Sequence, residues 1–126
     1  MTDLSNTIDI HVNTRYLAEH SQPADNRYVF AYDITIRNNG TESAQLLSRH
    51  WIITDGDGKT QEVRGSGVVG EQPVIQADDE YSYSSGTLMT TAVGSMQGSF
   101  TMRTEEGEEF EAPIAPFSLA VPGALH

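Results

Sequence analysis

Four clusters in this chain hold residue types able to do chemistry. The first is Gly65-Ser-Gly67-Val-Val-Gly70, a G-x-G-x-x-G spacing, with Arg64 just before it. Such a loop binds pyrophosphate when a strand feeds it and a helix N-terminus follows. Here Glu71-Gln-Pro73-Val-Ile75 follows, which is not a helix, so the dinucleotide reading fails on context. A backbone anion nest assisted by Arg64 needs no helix and stays open. Two other uses also stay open: a tight bend at a sheet edge, or a loop that touches another protein. The second cluster, Asp55-Gly-Asp57-Gly58-Lys59, starts like a calcium loop. Lys59 falls where a ligand oxygen is needed and both flanks read as strands, so Asp-Gly marks a hairpin turn.

The third cluster is Ser48-Arg49-His50-Trp51. In a strand, Arg49, Trp51 and Ile53 share one face, and Ser48, His50 and Ile52 the other. Ser48 and His50 come from one strand without an elbow or oxyanion motif, so they form no nucleophile–base pair. Trp51, the single tryptophan, reads as a core anchor or as a surface aromatic for a partner. The fourth group is acidic: Asp78-Asp79-Glu80, and Glu105, Glu106, Glu108, Glu109 and Glu111. These read as solvated turns, with loose divalent-ion binding as the alternative. His11, His20, His50 and His126 lack the spacing of a transition-metal site, and no cysteine is present. A catalytic constellation is not visible.

The elements that must position these residues have period 2. Ile8, Ile10, Val12, Thr14 and Tyr16 alternate with polar residues. Tyr28, Phe30, Tyr32, Ile34 and Ile36 form a second strand that is apolar on both faces at its start, hence central. Leu17–Asn26 is polar and reads as a loop, and Asn38-Asn39-Gly40 as a turn. A third strand spans about Ala44–Thr54, a fourth Lys59–Arg64, and Pro73–Gln76 and Tyr81–Ser84 are short ones. The small polar run Ser85–Val93 reads as a long connection. Met96 to Thr104 alternates again, and a turn leads to Phe110, Ala112 and Ile114. Pro116 and Pro122 argue against helix in the tail. The expected core includes Tyr28, Phe30, Tyr32, Ile34, Ile36, Trp51, Ile53, Phe100, Met102, Phe110 and Ile114. Seven to nine short strands predict an all-β sandwich of two antiparallel sheets, fibronectin type III-like or immunoglobulin-like.

A chain of 126 residues suits one domain, 1–126, with flexible ends at about 1–7 and 120–126. Seven basic against 18 acidic residues give a net charge of −11. That sign repels nucleic-acid backbones and anionic membranes, so neither is an expected partner. The first residues show neither a basic nor an apolar signal region. No stretch approaches the roughly 20 apolar residues of a membrane span. With no cysteine to form disulfides, a cytoplasmic location is expected.

The run from Gln45 to Val74, QLLSRHWIITDGDGKTQEVRGSGVVGEQPV, resembles the ApaG family of small bacterial proteins. The resemblance extends through Tyr28–Tyr32 and Ile34–Gly40 upstream. Downstream it takes in Gly94-Ser-Met96-Gln-Gly98-Ser-Phe100 and Pro113–Phe117. It implies a β-sandwich without a settled chemistry. Similar domains are implied to sit beside other modules in eukaryotic F-box and polymerase-δ-interacting proteins, which suits a binder. The family's other name, CorD, implies a link to cobalt resistance and magnesium efflux. Its usual gene neighbourhood implies nearness to dinucleoside polyphosphate metabolism. The expectation is a non-enzymatic protein-binding module with no cofactor and no metal site. Its candidate partner- or anion-binding loop is Arg64, Gly65, Gly67, Val68, Val69 and Gly70. Indirect divalent-cation homeostasis and phosphate or nucleotide binding are the alternatives.

Overall fold

The computed structural model describes residues 4–124. Eight strands follow in order: β1 Ile8–Tyr16, β2 Tyr28–Asn38, β3 Ala44–Asp55, β4 Thr60–Ser66, β5 Val74–Ile75, β6 Glu80–Met89, β7 Val93–Thr104 and β8 Glu109–Ala120. Three short 3-10 turns, Leu4–Thr7, Ala18–His20 and Pro23–Asp25, complete the regular structure. All pairings are antiparallel. One sheet has the order β1-β2-β6; the other has β4-β3-β7-β8, with β5 against the start of β3. In immunoglobulin lettering these are A-B-E and C′-C-F-G, the expected sandwich. Among the described residues, no helix is long and apolar enough to cross a membrane.

The alternating apolar residues meet between the sheets. Phe30, Ile34, Ile36, Phe100 and Met102 are buried, as are Tyr32, Trp51 and Ile114. Tyr28, Ile53 and Phe110 pack partly buried against them. Trp51 sits at the centre on strand C, its ring edge-on to Tyr32, Phe100 and Phe117. Its core reading therefore holds. Leu46 is also buried, although its number has the opposite parity to Trp51. A bulge at Leu47, where the β3–β7 register slips, reconciles the two by moving the inward phase one residue.

One sequence expectation changes. Ser85–Val93 is not a long connection: β6 continues through Ser85-Gly86-Thr87 to Met89, paired with β2 as far as Tyr28. The backbone of β2 supplies the ladder, so a run of small residues is held extended without large apolar side chains of its own. The tail beyond Ile114, where the prolines argued against helix, is strand up to Ala120. Pro113 and Pro116 are tolerated because β8 is an edge strand, and the β7–β8 register slips beside Pro116.

β1 packs against β8 and closes one long side of the sandwich. On the opposite side β4 and β6 are both edges, and a cleft opens between them.

Candidate functional site

Asp55–Lys59 is a hairpin turn. The Asp55 carboxylate accepts the backbone N–H groups of Asp57 and Lys59 at 2.9 and 3.0 Å. The Asp55 amide donates to the Lys59 carbonyl at 2.9 Å. That carboxylate oxygen closes its own turn. Among the other acids, Glu105 accepts from Ser43, and Glu80 pairs with Arg37 at 3.7 Å. Among the described residues, no three His, Asp or Glu side chains gather to hold a metal ion.

The glycine loop grows directly out of β4 and is fastened by hydrogen bonds to β3, to β6 and within itself. The Gly67 amide donates to the carbonyl of the bulged Leu47 at 2.8 Å, and Gln72 Nε2 donates to the same oxygen at 2.8 Å. The Val68 and Glu71 amides each donate to the other's carbonyl. Tyr81 Oη donates to the Glu71 carboxylate at 2.9 Å, tying the loop to β6. Gly67 has φ +58°, and an added Cβ would sit 2.1 Å from the Glu71 carbonyl oxygen. Only glycine fits there. Gly70 is also left-handed at φ +83°, but open space surrounds its α-carbon.

Gly65 serves a different purpose. It is the cross-strand partner of Arg49. An added Cβ would lie 2.8 Å from Cζ and both terminal nitrogens of that arginine. The missing side chain lets the guanidinium cross β4, where Arg49 Nη1 donates to the carbonyls of Ser66 and Gly67 at 2.9 and 3.0 Å. The loop is thus clamped by an arginine that the sequence alone did not single out for this task. Arg64, the cation expected there, lies outside the clamp: it is exposed and 3.6 Å from Glu62. Glu62 also stands 3.4 Å from His50 Nε2, which is shielded from water and has no aligned hydrogen bond.

The two valines diverge. Val68 is fully buried in the core, so the expectation that it is presented to a partner is corrected. Val69 is 57% exposed at φ +42°, a conformation that a β-branched residue rarely adopts. It stands on the rim of the β4–β6 cleft with Gly70, above Tyr32, Arg49, Trp51 and Tyr83. Leu88, 49% exposed, stands further along the same cleft on β6. The signal for this site was the pairing of Arg49 with a glycine, which depends on strand register and is invisible without it.

These features define a small fibronectin type III-like domain with a clamped glycine loop on its open edge. The ApaG domain model matches residues 18–104. The chain is 61% identical to the ApaG protein of Pseudomonas fluorescens (strain Pf-5) and 62% identical to that of Azotobacter vinelandii, each over the full length of both chains. The crystal structure of an ApaA protein from Bordetella pertussis superposes with a TM-score of 0.89 at 46% identity, covering 92% of this chain and 94% of that one. This chain belongs to the ApaG family.

Proposed function

We propose that this domain is a non-enzymatic protein-binding module whose contact surface is the rim of the β4–β6 cleft. One observation carries the reading: Val69 is held out of the fold in a left-handed conformation, on the rim of the cleft that Leu88 also borders. Val69, Val74 and Leu88 are the exposed large hydrophobic residues among those described. Exposed apolar side chains set beside unpaired sheet edges suit the recognition of another polypeptide, by added-strand pairing with β4 or β6 and side-chain contact at the rim.

The geometry weighs against phosphate as the loop's ligand. The amides of Gly67, Val68 and Glu71 already donate within the protein, and the carbonyls of Ser66 and Gly67 face Arg49. Few donors remain for an anion nest.

The test is capture from lysate with three baits: the wild-type domain, Val69→Asn and Leu88→Gln. A protein retained by the wild type and lost with both variants supports the reading. If the captured set is the same for all three, this surface is not the contact. A melting shift with millimolar ATP, removed by Arg64→Ala, would instead favour nucleotide binding.

A further inference from the structure

We propose that the β4–β6 cleft is a binding site for an organic carboxylate, anchored by Arg49 beside the hydroxyls of Tyr83 and Ser85, with the apolar tail lying toward Leu88. This goes beyond the protein-binding reading and does not rest on it.

The first support is an uncompensated charge. The chain has 18 acidic and 7 basic residues. Arg15, Arg37 and Arg64 each have a carboxylate within 4 Å. Arg49 has none among the described residues, and neither have Arg27, Lys59 and Arg103, but those three are exposed and Arg49 is half-buried. Nη1 spends both of its N–H groups on Ser66 and Gly67. Nη2 and Nε have no acceptor among the described residues. These donors are open to solvent, so they are available to an acceptor that displaces water from the cleft.

The second support is independent. Tyr83, only 8% exposed, lines the same cleft, and its hydroxyl is shielded from water without a hydrogen-bond partner. Buried polar groups in native proteins are normally satisfied; this hydroxyl is covered as the cleft stands, so it meets a ligand atom only when the Tyr83 side chain shifts toward the cleft. Ser85 stands between the two lobes of the cleft and lines both.

Shape and charge choose the ligand. The lobe at Tyr83 is about 270 Å³, and its neighbour toward Leu88 is about 510 Å³. Arg49 borders both. The larger lobe mixes apolar residues, Ile53, Val63, Leu88 and Met96, with polar ones, Gln61, Ser85 and Thr87. A planar carboxylate matches the fork of a single guanidinium. A dianionic phosphate would enter a protein of net charge −11 with one cation to meet it, and the Gly67, Val68 and Glu71 amides are already committed. The shared chemistry is a monoanionic carboxylate, from a free small molecule or from the end of a peptide.

Calorimetry with the full chain tests this. The probes are benzoate, and a short peptide with an apolar last residue prepared as the free acid and as the C-terminal amide. Inorganic phosphate is the control. Trp51 lines the cleft, so its emission gives a second readout. Benzoate or the peptide acid is expected to bind. Affinity should fall about tenfold or more in Arg49→Gln and severalfold in Tyr83→Phe. If Arg49→Gln fails to fold, Tyr83→Phe and Arg49→Lys carry the test, the latter keeping charge but losing the fork. Benzoate alone points to a free carboxylate; tighter binding of the peptide acid, with none of the amide, points to a chain end. No binding of either acid overturns the proposal. So does unchanged affinity in the folded variants, or phosphate binding as tight as benzoate. Benzoate bound by a chain with no protein partner would keep this site and remove the protein-binding reading.

Discussion

Arg49 and Gly65 face each other across β3 and β4, and the guanidinium of one occupies the space where the other has no side chain. This pair explains why the glycine loop starts where it does. It also separates the roles of its glycines. Gly65 makes room for a side chain, Gly67 for a backbone, and Gly70 for neither.

The roles predict a graded series. Gly70→Ala puts a Cβ into open space at positive φ and should cost about 1–2 kcal/mol. Gly65→Ala should cost about 1–3 kcal/mol, since the flexible guanidinium can move aside but loses its two carbonyls. Gly67→Ala must displace the Glu71 carbonyl as well as accept φ +58°, and should be the worst of the three. Urea midpoints of the three variants, read by Trp51 emission, give the order. A Gly67→Ala midpoint equal to that of Gly70→Ala would disprove the close-approach account.

Trp51→Ala should cost about 3–5 kcal/mol, because the side chain is 3% exposed and meets three aromatic rings at their edges. Against a total stability of roughly 5–15 kcal/mol, that loss can unfold the domain. Trp51→Phe should keep it folded at a lower midpoint. Thermal unfolding followed by circular dichroism distinguishes the two.

Most strands of this fold were legible because one face is wet, which leaves period 2 in the sequence. The continuation of β6 was not legible, since Ser84, Ser85 and Gly86 have no apolar alternation and owe their extension to pairing with β2. The phase change at Leu47 was hidden by its neighbour: Leu46-Leu47 looks apolar on both faces, and only the register shows which leucine is bulged. The glycine loop was found by spacing, and the absent helix removed the dinucleotide reading, but a bend, an anion nest and a partner contact all stayed open until the hydrogen bonds were seen. The arginine that clamps it was not singled out. Arg64 is adjacent in sequence but points to Glu62, whereas Arg49 is a cross-strand neighbour and reaches the loop. Val68 and Val69 are identical in type, and only backbone geometry buries one and exposes the other.

Burial pushes the Tyr83 phenol well above the usual tyrosine range; Tyr32 adds to the rise and the Arg49 guanidinium opposes it. An unfolded tyrosine titrates near pH 10. Above that pH the unfolded state releases the proton while the folded state keeps it, so the unfolded state is favoured. Stability from this group is intact below about pH 10 and falls as pH rises, with a limiting slope of about 1.4 kcal/mol per pH unit. Tyr83→Phe should remove that part of the alkaline loss. At neutral pH the same variant should be neutral or slightly stabilising, because it deletes an unpartnered hydroxyl. Denaturant midpoints at neutral and alkaline pH test both halves; equal alkaline losses in the two proteins would contradict the assignment.

Val69 offers the sharpest separation of stability from function. A valine at φ +42° stores roughly 1–3 kcal/mol of backbone strain. At 57% exposure its side chain recovers little of that through burial. Asparagine tolerates the left-handed region far better. Val69→Asn should therefore raise stability by about 0.5–1 kcal/mol while removing the apolar group from the rim. If Val69 touches a partner, the stabilised variant should bind that partner less well. This is the trade expected where a strained residue is kept for what it contacts. If Val69→Asn is more stable and retains every partner, the exposed valine has no part in recognition, and the contact must be sought along the β4 or β6 edge. If it is less stable, the strain is not there, and the loop is held by the Val68–Glu71 and Arg49 hydrogen bonds in a conformation that suits valine.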